Sequence, residues 1–325
     1  MTSADLQYDV VIIGGGAAGL SGAVALARSR RSVLVVDAGQ PRNAPADGVH
    51  NYLGREGTSP GELLAIGRAE LAGYGGEVVR AVVTAARRED DGDFRVTLDD
   101  GREVSARRLL VATGLVDELP DLPGVAERWG RDVLHCPYCH GWEVRDQPIG
   151  ILATGPNAVH QALLFRQLSD DVTFFRHTGP ELPEEEAAQL AALGVRMVDG
   201  EVVSLEVTGD RLTGVRLASG EVVPRSVVVV APRFTANDQV LSSLGLAATE
   251  QEMRGHVVGS AVAADPTGAT AVPGVWVAGN VADMSAQVVV SAAAGLRAGA
   301  MINADLVMED ARLAVAGSRE IAGTR

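Results

Sequence analysis

The sequence predicts an α/β fold of two three-layer domains, with the second domain inserted in the first. Two observations carry this prediction: a strand–glycine turn–helix–strand pattern opens the chain, and a related pattern begins at Ile149. The composition agrees, because 46% of the 325 residues are apolar and 22% are charged, which allows a full core and argues against global disorder. A chain of this length also accommodates two domains.

The first pattern starts with an apolar strand at Tyr8–Ile13, followed by the glycine turn "GGGAAG". An alanine-rich segment then predicts a helix that ends near Arg30, and a second strand covers Ser32–Asp37. The opening of the chain is therefore predicted to be a βαβ unit.

The glycines of this turn fit the pattern G-x-G-x-x-G. Gly14 permits the tight turn, Gly16 lets the backbone approach a pyrophosphate, and Gly19 lets the helix and strand pack closely. The helix N-terminus attracts phosphate groups, and Asp37 at the end of the next strand can accept hydrogen bonds from a ribose. Because strand, helix, second strand and terminal acid all stand in their places, the pattern predicts dinucleotide binding rather than a plain glycine-rich turn.

The rest of the first half predicts a meander on the same sheet. After a segment rich in Gly, Pro and Asn, strands are predicted near Val82–Ala86 and Phe94–Leu98. A further strand ends at "ATG", where Thr113 and Gly114 can bring backbone to the same cofactor.

The second βαβ unit divides the first domain in two. It comprises "IGILATGPNAVHQALLF" and "DVTFFRH", and another meander follows it. Near the C-terminus "VPGVWVAGN" predicts one more strand, a Gly-Asn turn and a long helix that belong to the first domain. The predicted limits are 1–116 together with 247–325 for the first domain, and 117–246 for the second.

Charge and hydropathy restrict the partners and the compartment. The net charge of −14 argues against nucleic acid or an anionic membrane as partner, because both need clustered Lys and Arg. The chain shows neither the pattern of a signal peptide nor an uninterrupted apolar stretch of about 18 residues. We therefore expect a cytoplasmic protein without a membrane span.

Both cysteines of the chain, Cys136 and Cys139, lie in "LHCPYCHGWEV". A zinc site usually takes four ligands from two such pairs, and the adjacent His135 and His140 point elsewhere on a regular backbone, so no metal is expected. A C-x-x-C pair at a helix start is suited to thiol–disulfide exchange, and Pro137 fits the first turn of a helix. Two inert buried cysteines are the alternative.

A histidine directly follows the second cysteine. His140 can take or give a proton near neutral pH, which thiol–disulfide exchange requires. It is equally compatible with a polar residue that hydrogen-bonds within the first helical turn, so the sequence leaves its role open.

The order "GGGAAG", "ATG", C-x-x-C, second βαβ unit and "AGNVADMSAQ" resembles the low-molecular-weight thioredoxin reductases over nearly the whole chain. The resemblance implies Rossmann-like FAD/NAD(P)-binding folds for both domains, FAD bound to the first domain, and a homodimer. It also implies that Cys139 lies against the flavin and that Cys136 exchanges with substrate. The implied FAD contacts are Gly14, Gly16, Ala17, Asp37, Gln40, Asn51, Val83, Thr113, Gly114, Asn280, Val281 and Gln287.

The second nucleotide fingerprint departs from that family. The reductases carry G-x-G-x-x-A there, whereas this chain has "ATGPNA", in which the first glycine is Ala153 and Pro156 lacks an N–H for a phosphate. The arginines that bind the 2′-phosphate of NADPH in the reductases are reduced to Arg176, and the acids Glu184–Glu186 follow. These acids also suit the first turn of a helix. The NADPH site is therefore predicted to be degraded.

A branch of the family, the flavin-dependent dithiol oxidases of gliotoxin, holomycin and romidepsin biosynthesis, is similar to "CPYCHGWEV" in its active-site stretch. That resemblance implies that a small dithiol supplies electrons through Cys136 and Cys139 to FAD, and that O2 reoxidises the flavin to give H2O2. His140 would then carry the proton, with Asp283 as a candidate partner. Two alternatives stay open: an NADPH-dependent disulfide reductase of thioredoxin or a similar protein, and a flavin-bearing redox sensor.

Overall fold

The computed structural model describes residues 6–323, so residues 1–5 and 324–325 of the predicted domain ranges lie outside the described part of the chain. The first domain begins with β1 (Leu6–Ile13), α1 (Ala17–Arg28), β2 (Val33–Asp37), α2 (Pro60–Gly73), β3 (Glu77–Arg80), β4 (Val83–Arg88), β5 (Phe94–Leu98), β6 (Glu103–Val111) and β7 (Leu115–Glu118).

The middle of the chain contains α3 (Val125–Arg128), β8 (Val133–Leu134), α4 (Pro137–His140), β9 (Ile149–Leu152), α5 (Ala158–Arg166), β10 (Val172–Phe175), α6 (Glu184–Ala192), β11 (Arg196–Val198), β12 (Val202–Thr208), β13 (Arg211–Leu217), β14 (Val222–Val223) and β15 (Val227–Val229). The last third contains β16 (Arg233–Ala236), α7 (Gln239–Ser242), β17 (Ala248–Met253), β18 (His256–Val262), β19 (Val275–Val277), a 3₁₀ turn (Gly279–Val281) and α8 (Val288–Gly323).

The first domain is built on one sheet with the strand order β3-β2-β1-β6-β5-β4, and β19 pairs with β6. Its central strand β1 runs parallel to both β2 and β6. Side chains of β1 alternate between two cores, as strand geometry requires. Val10 and Ile12 pack with residues of α1 and α8, whereas Val11 and Ile13 pack with the meander around Phe94. Helices, sheet and meander thus form three layers.

The second domain repeats this arrangement with a parallel sheet of order β11-β10-β9-β15-β8. Phe174 packs on one face with Phe165 of α5. Its neighbour Phe175 packs on the other face with Leu205 and Val215, which belong to the three-stranded sheet β12-β13-β14. Because β8–β15 lie between β6 and β19 in the chain, the second domain is inserted in the first, and the predicted fold class is confirmed.

A four-stranded sheet of order β17-β18-β16-β7 joins the two domains. β7 crosses the predicted limit at residue 116, and β16 and β18 pair in parallel from either side of the limit at residue 247. The strands therefore do not single out either limit, and the domain boundaries stay a prediction.

Two glycines of α8 let this long helix pack closely against α1. A Cβ at Gly295 would lie 1.9 Å from the carbonyl oxygen of Ala18, and one at Gly299 would lie 2.7 Å from that of Gly22. Within residues 6–323, every helix falls short of the length and apolarity that crossing a membrane requires. The compartment of the protein stays a prediction.

We predict that Gly295→Ala lowers the melting temperature of the protein, because its methyl group has to push apart the backbones of α1 and α8. Overpacking of this kind costs about 1–3 kcal/mol. Gly317→Ala is the matched control in the same helix, because a Cβ at that position meets no atom within 4 Å. The control is expected to raise the stability slightly, since alanine favours a helix over glycine by about 0.5–1 kcal/mol. Equal melting temperatures for the two variants would contradict the close approach; scanning calorimetry measures them.

Candidate active site

One cavity of about 1770 Å³ contains most of the residues to which the sequence assigns chemistry. Its lining includes the glycine turn, Asp37 and the Thr113–Gly114 pair of the first domain. The same lining includes Cys136, Cys139 and residues 154–157 of the second domain. Both nucleotide loops therefore open into the space that holds the cysteine pair.

The first glycine turn has the geometry of a dinucleotide loop. Gly14 has φ +105°, and a Cβ there would lie 2.4 Å from the carbonyl oxygen of Ala112. A Cβ at Gly19 would lie 1.9 Å from the carbonyl oxygen of Gly14, so only glycine lets α1 start so close to the strand. At Gly16 no atom lies within 4 Å of a Cβ position, which leaves an open cradle beside the N-terminus of α1. The residues present thus fit a pyrophosphate.

Most other predicted cofactor residues surround the same cradle. The Oδ1 atom of Asp37 accepts the N–H of Gly15 at 3.1 Å, which fixes the carboxylate at the edge of the turn. The predicted contacts that line the cavity are Gly14, Gly16, Ala17, Asp37, Gln40, Val83, Thr113, Gly114, Asn280 and Gln287. Their contacts with a cofactor stay a prediction.

Three predicted cofactor residues have side chains that are engaged within the protein. Val281 is fully buried in a core of the first domain. The Nδ2 atom of Asn51 donates to the carbonyl oxygen of Tyr138 at 2.6 Å, in the cysteine segment. The Nδ2 atom of Asn280 donates to the carbonyl oxygens of Asp283 and Ala286, both at 2.9 Å. Asn51 and Asn280 therefore order the chain around the cavity in this structure.

The cysteine pair stands at the start of α4. Cys136 precedes the helix in an extended conformation and Pro137 occupies its first turn, as the sequence predicts. The N–H groups of Cys139 and His140 both lie 3.2 Å from the carbonyl oxygen of Cys136, which closes the turn. Both cysteines are free thiols and are partly buried.

The two thiols are chemically different. The thiol of Cys139 donates to the sulfur of Cys136, and this hydrogen bond lowers the pKa of Cys136 to about 7. Backbone N–H groups and the charge of Arg42 act in the same direction, whereas burial opposes them. The same hydrogen bond, together with burial, raises the pKa of Cys139. A thiol with a lowered pKa is a good leaving group in disulfide exchange, which suits Cys136 to forming and releasing a mixed disulfide.

His140 has a partly buried ring at the end of α4. Its Nε2 atom is buried and has no hydrogen-bond partner among the described residues. Burial lowers the pKa of His140, and the negative charges of Glu143 and Asp47 oppose that shift. Asp283, its predicted partner, accepts instead from the N–H and Oγ of Ser285 at 2.9 and 2.7 Å. The structure does not bring Asp283 and His140 into contact.

Arg42 is a residue of the site that the sequence analysis missed. Its Nε and Nη2 atoms donate to the carboxylate of Asp117 at 2.7 and 2.6 Å, and its Nη1 donates to Asn280 at 3.2 Å. The guanidinium carbon lies 5.2 Å from the ring centre of Phe234. Its charge favours the thiolate form of both cysteines. Nothing in the local sequence of the Gly- and Pro-rich loop signals this role, because all its partners lie far away in the chain.

The second nucleotide loop differs from the first at the positions that would hold a phosphate. Ala153 replaces the first glycine of the fingerprint. A Cβ on Gly179 would lie only 2.8 Å from the methyl group of Ala153, so the glycine at position 179 leaves room for that methyl group. Pro156 lines the cavity and offers no N–H. Asn157 precedes α5 without a side-chain bond to the helix.

The basic residues near this loop that could select NADPH already have partners within the protein. The Nε atom of Arg176 lies 3.2 Å from the carboxylate of Asp199. His177 accepts the N–H of Val202 on its Nδ1 atom at 3.0 Å. In α6, Glu186 forms an ion pair with Arg254. The structure therefore offers little positive charge for a 2′-phosphate at this loop.

No group of three or more His, Cys, Asp or Glu side chains suited to a metal ion occurs in residues 6–323. The fold and the site instead define a disulfide-handling oxidoreductase with dinucleotide-binding domains. The chain belongs to the pyridine nucleotide-disulphide oxidoreductase family, whose model matches residues 8–295.

Known relatives bear out the predicted resemblance to thioredoxin reductase-like enzymes. Thioredoxin reductase tcpT of Claviceps purpurea is 31% identical over 311 residues, which cover 93% of this chain and 95% of tcpT. Thioredoxin reductase of Aquifex aeolicus is 29% identical over 310 residues, 92% of this chain and 93% of that enzyme. The crystal structure of HlmI shares 48% sequence identity and a TM-score of 0.89, with 99% of both chains covered.

We predict that iodoacetamide modifies Cys136 of the reduced protein with a pH midpoint of about 7. Cys139→Ala is expected to move this midpoint upward, toward the ordinary thiol value of about 8.5, because it removes the side-chain donor to the sulfur of Cys136. Mass spectrometry of the alkylated peptide measures the rate at each pH. Cys136→Ser is the control that identifies the modified sulfur. An unchanged midpoint in Cys139→Ala would contradict the hydrogen bond as the cause.

Proposed function

We propose that the protein is an FAD-dependent oxidase that closes an intramolecular disulfide in a small-molecule dithiol, such as a dithiolopyrrolone or an epidithiol. The observation that carries the proposal is the contrast between the two nucleotide loops around one cysteine pair. The first loop retains an open cradle at Gly16, whereas the second has Ala153 and Pro156 at the corresponding turn. A flavin bound at the first loop can then accept electrons from the cysteines, whereas the second loop lacks a matching cradle for a nicotinamide cofactor that would supply electrons.

The cysteines handle the substrate in two exchange steps. A substrate thiolate attacks Cys136 of the oxidised pair, so that the bond to Cys139 breaks and a mixed disulfide forms. The second substrate thiol gives up its proton and attacks the first substrate sulfur, which releases the cyclic disulfide and the thiolate of Cys136. Backbone N–H groups and the charge of Arg42, which both favour the thiolate of Cys136, favour this release. We assign the uptake of this proton to His140, which directly follows Cys139 in the chain.

The residues that would hold FAD are the glycine turn, Asp37 and the Thr113–Gly114 strand end, with Asn280 in the 3₁₀ turn and Gln287 directly before the last helix. When bound, FAD supplies two-electron transfer from the reduced cysteines to O2, with H2O2 as the product. The protein residues orient the cysteine pair toward this site: Arg42 favours thiolate, and Asn51 fixes the carbonyl group of Tyr138.

The oligomeric state and the location of the protein are proposals as well. We propose a homodimer, as the resemblance implies; Val290, Leu296 and Met308 of α8 are exposed apolar side chains that a second copy could cover. A cytoplasmic location suits a chain whose two cysteines are reserved for catalysis.

An NADPH-dependent reductase of thioredoxin or a similar protein is the second candidate. It is supported by the names of the curated relatives, tcpT and the Aquifex aeolicus enzyme, both of which are called thioredoxin reductases. Tyr138 and Trp142, which flank the cysteine turn, are exposed and would be available to a protein substrate.

We predict that anaerobic mixing with NADPH leaves the flavin absorbance of the oxidised enzyme unchanged, whereas a reduced dithiol bleaches it. The reason is that the second loop lacks the N–H groups and the positive charge that bind NADPH. The Cys136→Ser/Cys139→Ser double variant is the control and should not be bleached by the dithiol. Fast bleaching by NADPH would contradict the oxidase. Oxygen uptake that stops after one turnover with a dithiol would favour the redox sensor.

We also predict that Cys136→Ser gives a long-wavelength charge-transfer band in the flavin spectrum, and that Cys139→Ser does not. Without Cys136, the main cause of the raised pKa of Cys139 is gone, so its thiolate forms more readily beside the flavin. Absorbance spectra of the two holoenzymes at several pH values measure this. A band in Cys139→Ser alone would reverse the roles of the two cysteines.

A further inference from the structure

Residues 49–58, here named the clamp loop, form a compact hairpin-like turn. The N–H of Val49 donates to the carbonyl oxygen of Thr58 at 2.8 Å, and that of Gly57 donates back to Val49 at 2.9 Å. Inside the clamp loop, one carboxylate oxygen of Glu56 lies 2.5 Å from the Nδ1 atom of His50. The other carboxylate oxygen accepts the N–H of Asn51 at 2.9 Å. Glu56 therefore fixes the ring of His50 within the clamp loop.

The clamp loop reaches the cysteine segment at two points. Besides the bond from Asn51 to the carbonyl oxygen of Tyr138, the Nε2 atom of His50 lies 3.5 Å from a carboxylate oxygen of Glu143. Glu143 belongs to the turn that follows α4, three residues beyond His140. A carboxylate next to the cysteine turn is thus held by a histidine from the first domain.

The charges that act on His140 come from two segments. Glu143 belongs to the turn that follows His140, whereas Asp47 precedes the clamp loop and His50 is part of it. Asp47 is exposed, whereas His50 is largely buried between the carboxylates of Glu56 and Glu143. The carboxylate of Asp283 accepts hydrogen bonds from Ser285. The ring of His140 itself has a buried Nε2 without a partner among the described residues.

We propose that Glu143, anchored by His50, is the carboxylate that stabilises protonated His140 during catalysis, in the role the sequence suggested for Asp283. Glu143 and His50 are positioning residues, because they act through His140. The proposal rests on the proposed function only in taking the substrate thiol as the source of the proton on His140. The positions of His50, Glu143 and His140 do not depend on that function.

The proton balance shows what the pair has to do. Oxidising one dithiol to its disulfide releases two electrons and two protons. The first thiol enters as thiolate and leaves its proton to solvent, whereas the second has to be deprotonated at the mixed disulfide, where His140 takes the proton. Reduction of O2 to H2O2 consumes two electrons and two protons, so the total balances. A carboxylate beside the imidazolium lowers the energy of that transient charge.

The experiment follows the ionisation of His140 directly in the holoenzyme. The chain has six histidines, so isotope-labelled histidine gives a small set of NMR signals, and the signal absent from His140→Gln identifies the residue. The pKa of His140 is then measured by pH titration in the wild type and in Glu143→Gln, His50→Gln and Asp283→Asn. Glu252→Gln, which removes an exposed carboxylate in β17, is the matched control for loss of charge.

The pKa of His140 is expected to shift in opposite directions in Glu143→Gln and His50→Gln. Glu143→Gln should lower the pKa of His140, because a nearby negative charge is lost, by about half a unit to one unit. His50→Gln should raise that pKa, because Glu143 loses its partner at 3.5 Å and its charge is then free to act on His140. Asp283→Asn and Glu252→Gln should leave it unchanged. Glu143→Asp keeps the charge and should stay close to the wild type, which separates charge from general disruption of the turn.

The same variants are assayed for oxygen uptake with reduced dithiothreitol as the probe. The acidic limb of the kcat/KM profile should move to lower pH in Glu143→Gln and to higher pH in His50→Gln. A lowered pKa in Asp283→Asn with none in Glu143→Gln would overturn the proposal. The expected NMR shifts in an enzyme that turns over no dithiol would instead contradict the proposed function and leave the Glu143–His140 pairing intact.

Discussion

The contact between the loop after β2 and the cysteine segment is the interaction on which the candidate site depends. The two nucleotide-binding domains fold around separate cores and are joined by the sheet β17-β18-β16-β7. Two polar contacts attach the C-x-x-C segment itself to the first domain: Asn51 with the carbonyl of Tyr138, and His50 with Glu143. In the same loop, Arg42 forms a bidentate pair with the well-shielded Asp117 of β7, which is the geometry in which an arginine–carboxylate pair contributes specificity. The cysteine pair thereby shares one cavity with the cradle.

This arrangement also bears on the direction of electron flow. A reductase of this fold needs its second domain to present a nicotinamide to the site where the cysteines now lie. Here Ala153 and Pro156 alter the loop that would bind the pyrophosphate, and the Nε atom of Arg176 lies 3.2 Å from Asp199. The altered loop supports the proposed direction of electron flow, from dithiol to flavin.

Much of the fold could be predicted from the sequence, because its signals are local. The glycine spacing, the apolar strands and the repeat at Ile149 each fix a strand–turn–helix unit within a few residues. The helix start at Cys136 was equally readable, since Pro137 occurs in the first turn. The surroundings of His140 could not be predicted in this way. Glu143 is close in sequence but follows no recognised spacing, and His50 and Arg42 come from a loop without periodicity. Asp283 was preferred because it follows a recognisable turn, yet its carboxylate is satisfied by Ser285 two residues away.

Which carboxylate acts on His140, Asp283 or Glu143, bears on the proton transfer that the site can perform. In a reductase the cysteines pass electrons to an incoming disulfide, and a carboxylic acid beside them can donate a proton to the departing thiolate. In an oxidase the second thiol of the substrate has to lose its proton before it attacks, so a neutral base with a low pKa is required. In the proposed oxidase, burial supplies that property to His140, and the charge of Glu143 opposes the cost of protonating it. Because His50 contacts Glu143 from the first domain, the proposed base depends on contact between the two domains.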